Sequence, residues 1–382
     1  MLRGVLRGVL TQHGTANVLP QWGEPAITVA AIIALALVNA RGTTWGGGLQ
    51  LIVTTIKVVS LVGIAVLPFV AMFIAVGGDT SPSTERLQPL WPDDVRAIDW
   101  KRFGAAMIGI WWAYHGWMNI APVAEEVRNP GRNIPLALIA GTLTVMALYV
   151  SANVAYYLVV PREVMTTEGK TTPVAAIFCL RLLGNVGLTV ASAAIMTSVF
   201  GALNGNLLVG PRVLYAMGRD RLAPAVLARL HPNYRTPVAA EVTLAAWSIL
   251  LVVGVALLVQ YPLPVLSFAG MELDANVEAG TDAFDVLTDY AMFGSFSFET
   301  LAVATLFAFR RRYPPGLADV PYRCPLYPWL PLGYIVFMGA ILANYFLTKQ
   351  AASYFAVGFI AVGGVVYLLA FAGRAVGPVD CD

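Results

Sequence analysis

Long runs of apolar residues separated by short polar connections make up most of the chain, and within the runs apolar and polar positions do not alternate. Nine runs approach the roughly 17 to 25 residues a helix needs to cross a bilayer: about Ala26–Ala40, Leu49–Val76, Phe103–Val127, Ile134–Val160, Gly187–Met217, Val238–Gln260, Val286–Phe309, Leu330–Leu347 and Tyr354–Phe371. Lack of alternation favours helices over a barrel, and backbone groups that must be satisfied within lipid leave no third choice. The first run is weakest. About 15 residues rising 1.5 Å each give about 22 Å against a hydrocarbon core of about 30 Å, so it is expected to borrow length from Gln21–Pro25. The reading is an all-α integral membrane protein: an extramembrane stretch over 1–25, a helical domain over 26–372 and a tail over 373–382.

The polar connections orient the spans. Those after the fifth and seventh runs hold Arg212, Arg219, Arg221, Arg229 and Arg235, then Arg310, Arg311, Arg312 and Arg323. The connection after the sixth has no Lys or Arg but carries Glu272, Asp274, Glu278, Asp282 and Asp285. Positive charge stays on the cytoplasmic side, so the carboxyl terminus is expected inside and the amino terminus outside. That start is unusual, because MLRGVLRGVLTQHG does not read as a secretory signal and it places Arg3 and Arg7 on the wrong side. An odd number of helices preceding the first run would resolve the anomaly.

Composition agrees with the spans. Of 382 residues, 58% are hydrophobic and 12% charged, with a mean hydropathy of +0.71, whereas a soluble domain is nearer a quarter charged. A net charge of +2 with no basic tract gives no sign of nucleic acid as a partner; the expected partners are lipid and a small molecule. Three cysteines, Cys179, Cys324 and Cys381, have no metal-ligand spacing, and three histidines cannot build a His-rich centre. No cofactor or metal is implied.

The third run carries the chemistry. Gly116 weakens its helix, and Pro122 neither donates to the carbonyl of Met118 nor avoids clashing with it. A proline kink repacked by neighbours explains both residues taken alone. His115 at the same place alters the balance, because an ionisable group at membrane depth marks a functional site by default. Broken helices of this kind build the substrate sites of secondary transporters.

The segment WAYHGWMNIAPVAEEVRNPGRNIPLAL resembles the sixth-helix signature of the amino acid-polyamine-organocation transporters, in particular the L-type amino acid transporters and their bacterial permease relatives. FGALNGNLLVGPRVLYAMGRDRLAPAVLARLHPNYRTPVAA is similar to that family's eighth helix and following loop. VNARGTTWGGGLQLIVTTIKVVSLVGIAVLPF resembles its fourth-to-fifth helix region, and FETLAVATLFAFRRRYP its tenth-helix end. The resemblance implies a five-plus-five inverted-repeat fold, N-terminally incomplete, with the second repeat over about 103–309 and the family's first three helices missing. Three is odd, as the charge distribution requires.

By the same resemblance, the backbone of Ala113, Tyr114, His115 and Gly116, with Trp117, lines the substrate ammonium through carbonyls, and Trp112 matches an aromatic gate. His115 departs from the small or Asn/Asp residue usual there. Its near-neutral titration opens proton coupling, and a neutral histidine bonded to backbone is the alternative. Lys57, eight residues into its run, matches a lysine whose ammonium replaces a sodium ion, which implies sodium independence. Asn204 and Asn206 face either the cavity or, given Gly201 and Gly205, a close helix contact. Glu299, mid-run, serves either coupling or structural pairing. Glu125 and Glu126 are expected to pair with Arg128 and Arg132.

The implied function is sodium-independent amino acid transport across the cell membrane by alternating access, secondary active or facilitative, as facilitator, exchanger or proton symporter, in a bacterial inner membrane. The alternative is a transport-incompetent truncated permease. An intramembrane enzyme is disfavoured, since no Ser/Lys, Asp/Asp or His/Glu constellation stands out along the chain.

Overall fold

The computed structural model describes residues 22–74, 81–88, 94, 99–170, 172–261, 266–268, 271–273, 283–313, 324–348 and 350–371. The expected tail, nearly all of the amino-terminal stretch, and Asp274, Glu278, Asp282 and Arg323 lie outside the described residues. Among the described residues ten α-helices follow in order: α1 (Gly23–Ala40), α2 (Thr43–Phe73), α3 (Trp100–Tyr114), α4 (Pro130–Val159), α5 (Arg162–Thr167), α6 (Val174–Arg219), α7 (Val238–Gln260), α8 (Ala283–Arg312), α9 (Trp329–Thr348) and α10 (Gln350–Ala370). A small antiparallel hairpin, β1 (Leu266–Phe268) with β2 (Met271–Leu273), pairs Leu266 with Leu273 within the acidic connection.

Eight of these helices are long and apolar enough to cross a membrane. They correspond to eight of the nine expected runs, and α1 does begin upstream of Ala26, as its short run requires. The ninth run is the interrupted one, where α3 stops after 15 residues. Large apolar side chains such as Phe73, Val186 and Leu369 lie exposed on the helices, as a surface solvated by lipid tails allows.

The chain divides into two units, 1–93 with 139–219 and 224–253, and 94–138 with 220–223 and 254–382. In the first, α6 is the central element. Its 46 residues are two helices meeting at Gly184, whose φ of 62° and ψ of −150° suit glycine alone. The short arm before the bend packs back on the main helix: a Cβ on Gly187 would lie 2.2 Å from the Cys179 carbonyl oxygen. Ala176, Ile177, Phe178 and Cys179 of the arm form a core with Ala155, Leu158 and Val159 at the end of α4 and with Leu188 and Ala191. Arg86 Nη1 donates to the Leu158 and Val159 carbonyls, at 3.0 and 3.3 Å, satisfying acceptors that a helix end leaves open.

Glycines set how close the helices come. A Cβ on Gly201 of α6 would stand 2.2 Å from Val53 Cγ1 of α2, and one on Gly210 would stand 2.6 Å from Leu244 of α7. Small residues at such crossings let backbones approach, which is how helices gain packing energy in lipid. Thr236 Oγ1 donates to Ala40 O at 2.8 Å, tying the loop before α7 to the end of α1.

The second unit holds α3, α8, α9 and α10. Met292 and Phe296 of α8, Met338, Ile341 and Tyr345 of α9, and Ala352 of α10 form its buried core. Trp111 of α3 joins this core through its ring contacts with Tyr334 and Phe337, at centroid separations of 5.9 and 5.7 Å. Gly104 lets α3 approach Asn344 of α9.

Candidate functional site

The helix break lies where the sequence places it, between Tyr114 and Trp117. The His115 N–H turns back to Trp112 O at 3.1 Å, a bond from three residues earlier instead of four. Gly116 then takes φ 110° and ψ −1°, a left-handed conformation that a side chain resists. Beyond it, Trp117–Glu126 continues as a ten-residue 3₁₀ helix containing Pro122. Such helices rarely exceed three or four residues. The missing N–H of proline removes one rung of an α-helical ladder here, and the tighter winding starts with Asn119 N–H bonding Gly116 O at 3.0 Å.

Glu299 of α8 reaches both sides of this break. Its residue is 4% exposed. Oε1 accepts from Trp117 Nε1 at 2.7 Å and from the Tyr334 hydroxyl of α9 at 2.6 Å. Oε2 lies 3.2 Å from His115 Nδ1. One carboxylate thus bridges the residues flanking Gly116, and two short bonds to a single oxygen fit an ionised, acceptor-only group. The His115 and Phe296 rings meet edge to face, at 5.5 Å between centroids, so the buried apolar core of the second unit reaches the polar cluster. His115 Nδ1 therefore faces a carboxylate.

Trp112, Ala113 and Tyr114 form the last turn of α3, with Trp112 exposed. Asn204 belongs to the first unit and is completely buried. It accepts from Asn39 Nδ2 of α1 at 3.1 Å and donates to Gly46 O at 3.2 Å and Gln50 Oε1 at 3.0 Å, both of α2. It joins three helices in a polar knot. Asn206 is exposed. Lys57 sits partly buried on α2, also in the first unit. The side chains of Glu125 and Glu126 lie outside the described residues.

Tyr334 was not singled out from sequence, and neither were Asn39 and Gln50. Nothing local announces Tyr334: a tyrosine in an apolar run reads as packing, and its partner stands 35 residues away. The His115–Glu299 pairing is hidden for the same reason, since its members stand 184 residues apart with much of the first unit between them.

Comparison with known proteins decides the family. The pattern of the amino acid permease family matches residues 10–371. The chain belongs to that family. It is similar to the serine/threonine exchanger SteT of Bacillus subtilis, 29% identical over 317 residues that cover 81% of this chain and 62% of the relative. The human cystine/glutamate transporter is 26% identical over 309 residues, 81% of this chain and 53% of that protein. The branched-chain amino acid permease BcaP of Lactococcus lactis is 28% identical over 346 residues, covering 89% and 64%. The chain thus spans between about half and two thirds of the length of these relatives. Family and apolar helices together make it a multi-pass membrane protein of a permease family, not an enzyme.

Proposed function

We propose that this permease moves amino acids across the cell membrane by alternating access, holding the substrate ammonium at the interruption between Tyr114 and Trp117. The observation that carries this reading is the left-handed Gly116, which ends the helix at Tyr114 and starts a differently wound one at Trp117. Backbone carbonyls at such a break suit an ammonium because they supply acceptors without burying a full opposing charge. Trp112, exposed on the last turn of α3, is assigned the gate beside the substrate side chain. Lys57 is assigned the place of a sodium ion, making transport sodium-independent. The arginines at the ends of α6 and α8 set those ends, and the carboxyl terminus, on the cytoplasmic side of a bacterial inner membrane.

The test is uptake into proteoliposomes carrying the purified chain, over a panel of radiolabelled L-amino acids. Serine and threonine head the panel because an exchanger of those two is among the relatives. Saturable uptake that is equal in sodium and choline buffers is expected, and Lys57→Met should abolish it or make it depend on sodium. Uptake that needs sodium with Lys57 intact would refute the assignment of that residue.

A further inference from the structure

We propose that His115 and Glu299 form a proton-binding pair at the helix break, so that the site takes a proton as well as the amino acid. The carrying observation is the close approach of two buried atoms. His115 Nδ1 and Glu299 Oε2 are both buried and lie 3.2 Å apart. Both are acceptors when unprotonated, and two unprotonated acceptors that close, away from water, repel, so the pair holds a proton.

The rest of the cluster decides where a second proton goes. Oε1 is occupied by two donors, Trp117 Nε1 and the Tyr334 hydroxyl, and neither can accept a proton there while donating. With the first proton on Nδ1, Nε2 is the remaining basic atom. It is not among the buried unpaired atoms, and the His115 side chain is 20% exposed while that of Glu299 is 1% exposed. A proton arriving from water thus binds Nε2, converting a neutral imidazole to imidazolium, and the pair passes from net charge −1 to 0. No other bond forms or breaks. Among the described residues, Glu299 from α8 faces the ring and Tyr334 from α9 bonds the same carboxylate, with Tyr114 preceding His115 on α3 and Phe296 of α8 packed against the ring. Because Glu299 bonds Trp117 across Gly116, a change of charge in the pair acts on both flanks of the break.

The consequence for transport rests on the function proposed above; the proton binding does not. Two readouts keep them apart. Tryptophan emission is recorded for the full chain in lipid nanodiscs between about pH 5 and pH 8, and the spectrum of Trp117→Phe is subtracted. A pH-dependent component from Trp117 is expected, lost in His115→Asn and in Glu299→Gln. Should Glu299→Gln not fold, Tyr334→Phe, which leaves the Nδ1–Oε2 pair in place, must keep the response while His115→Asn loses it. A pH-independent Trp117 signal, or one surviving in folded His115→Asn, overturns the pair. In liposomes with a trapped pH dye, L-threonine uptake should move internal pH in wild type and not in His115→Asn. Uptake of amino acids without the emission response refutes the pair and leaves transport standing; the emission response without uptake of any amino acid does the reverse.

Discussion

Replacing Tyr334 by Phe removes one hydrogen bond and little volume, which makes it a clean probe of the Glu299 cluster. The bond is 2.6 Å long and ends on a carboxylate whose side chain is 1% exposed. Hydrogen bonds to charged groups contribute about 1.5–3 kcal/mol, so Tyr334→Phe should destabilise by about that amount. In a Glu299→Leu background the same substitution has no bond to remove, and it deletes a hydroxyl already left without its acceptor, so its cost should fall to about zero or below. The coupling energy from the four proteins is then about 1.5–3 kcal/mol. The cost of Glu299→Leu alone is less informative. Relief of a buried charge offsets the two lost bonds, and Trp117, 42% exposed, can exchange the carboxylate for water. Unfolding in mixed micelles titrated with SDS gives the four stabilities. A Tyr334→Phe cost that is the same in both backgrounds would show that the carboxylate and hydroxyl do not interact, and the tie between α8 and α9 at Glu299 would go with it.

Three further outcomes follow from packing and backbone geometry. Gly201→Ala puts a methyl group 2.2 Å from Val53 Cγ1 and should cost about 1–3 kcal/mol by overpacking; adding Val53→Ala should return most of it, in the same SDS titration. Gly116→Ala must hold φ near 110°, which costs about 1–3 kcal/mol, and its helical circular dichroism should rise if the break instead closes into continuous helix. Asn204→Leu leaves Asn39 Nδ2, Gly46 O and Gln50 Oε1 without their shared partner and should cost at least about 1–3 kcal/mol, read as early loss of fold on heating in detergent.

The spans were legible in the sequence because lipid imposes length and apolarity together, and α7 has the expected bounds at both ends. The arm before Gly184 was not, because Arg181, Gly184 and Asn185 interrupt the apolar run and the arm is held by tertiary packing on α4. Gly116 and Pro122 announced the break; the long 3₁₀ continuation did not follow from either, since sequence gives the missing N–H but not how the chain rewinds around it. In the sequence Glu299 is a charge at membrane depth, which fits either coupling or structural pairing. The structure supplies its partners, which no local pattern encodes. Asn204, left between cavity and helix contact, turns out to bond α1 and α2, and the Gly201 contact beside it explains why such a short polar side chain reaches both.

The most direct test of the central claim, that the break at Gly116 is where an amino acid is held, is saturable uptake of radiolabelled L-serine and L-threonine by wild-type and Gly116→Ala proteoliposomes with equal amounts of folded protein. The account predicts uptake by wild type and a loss of about tenfold or more in Gly116→Ala, as a cost of about 1.4 kcal/mol or above at the site requires. Equal uptake by the two proteins, with the same apparent affinity, would contradict it.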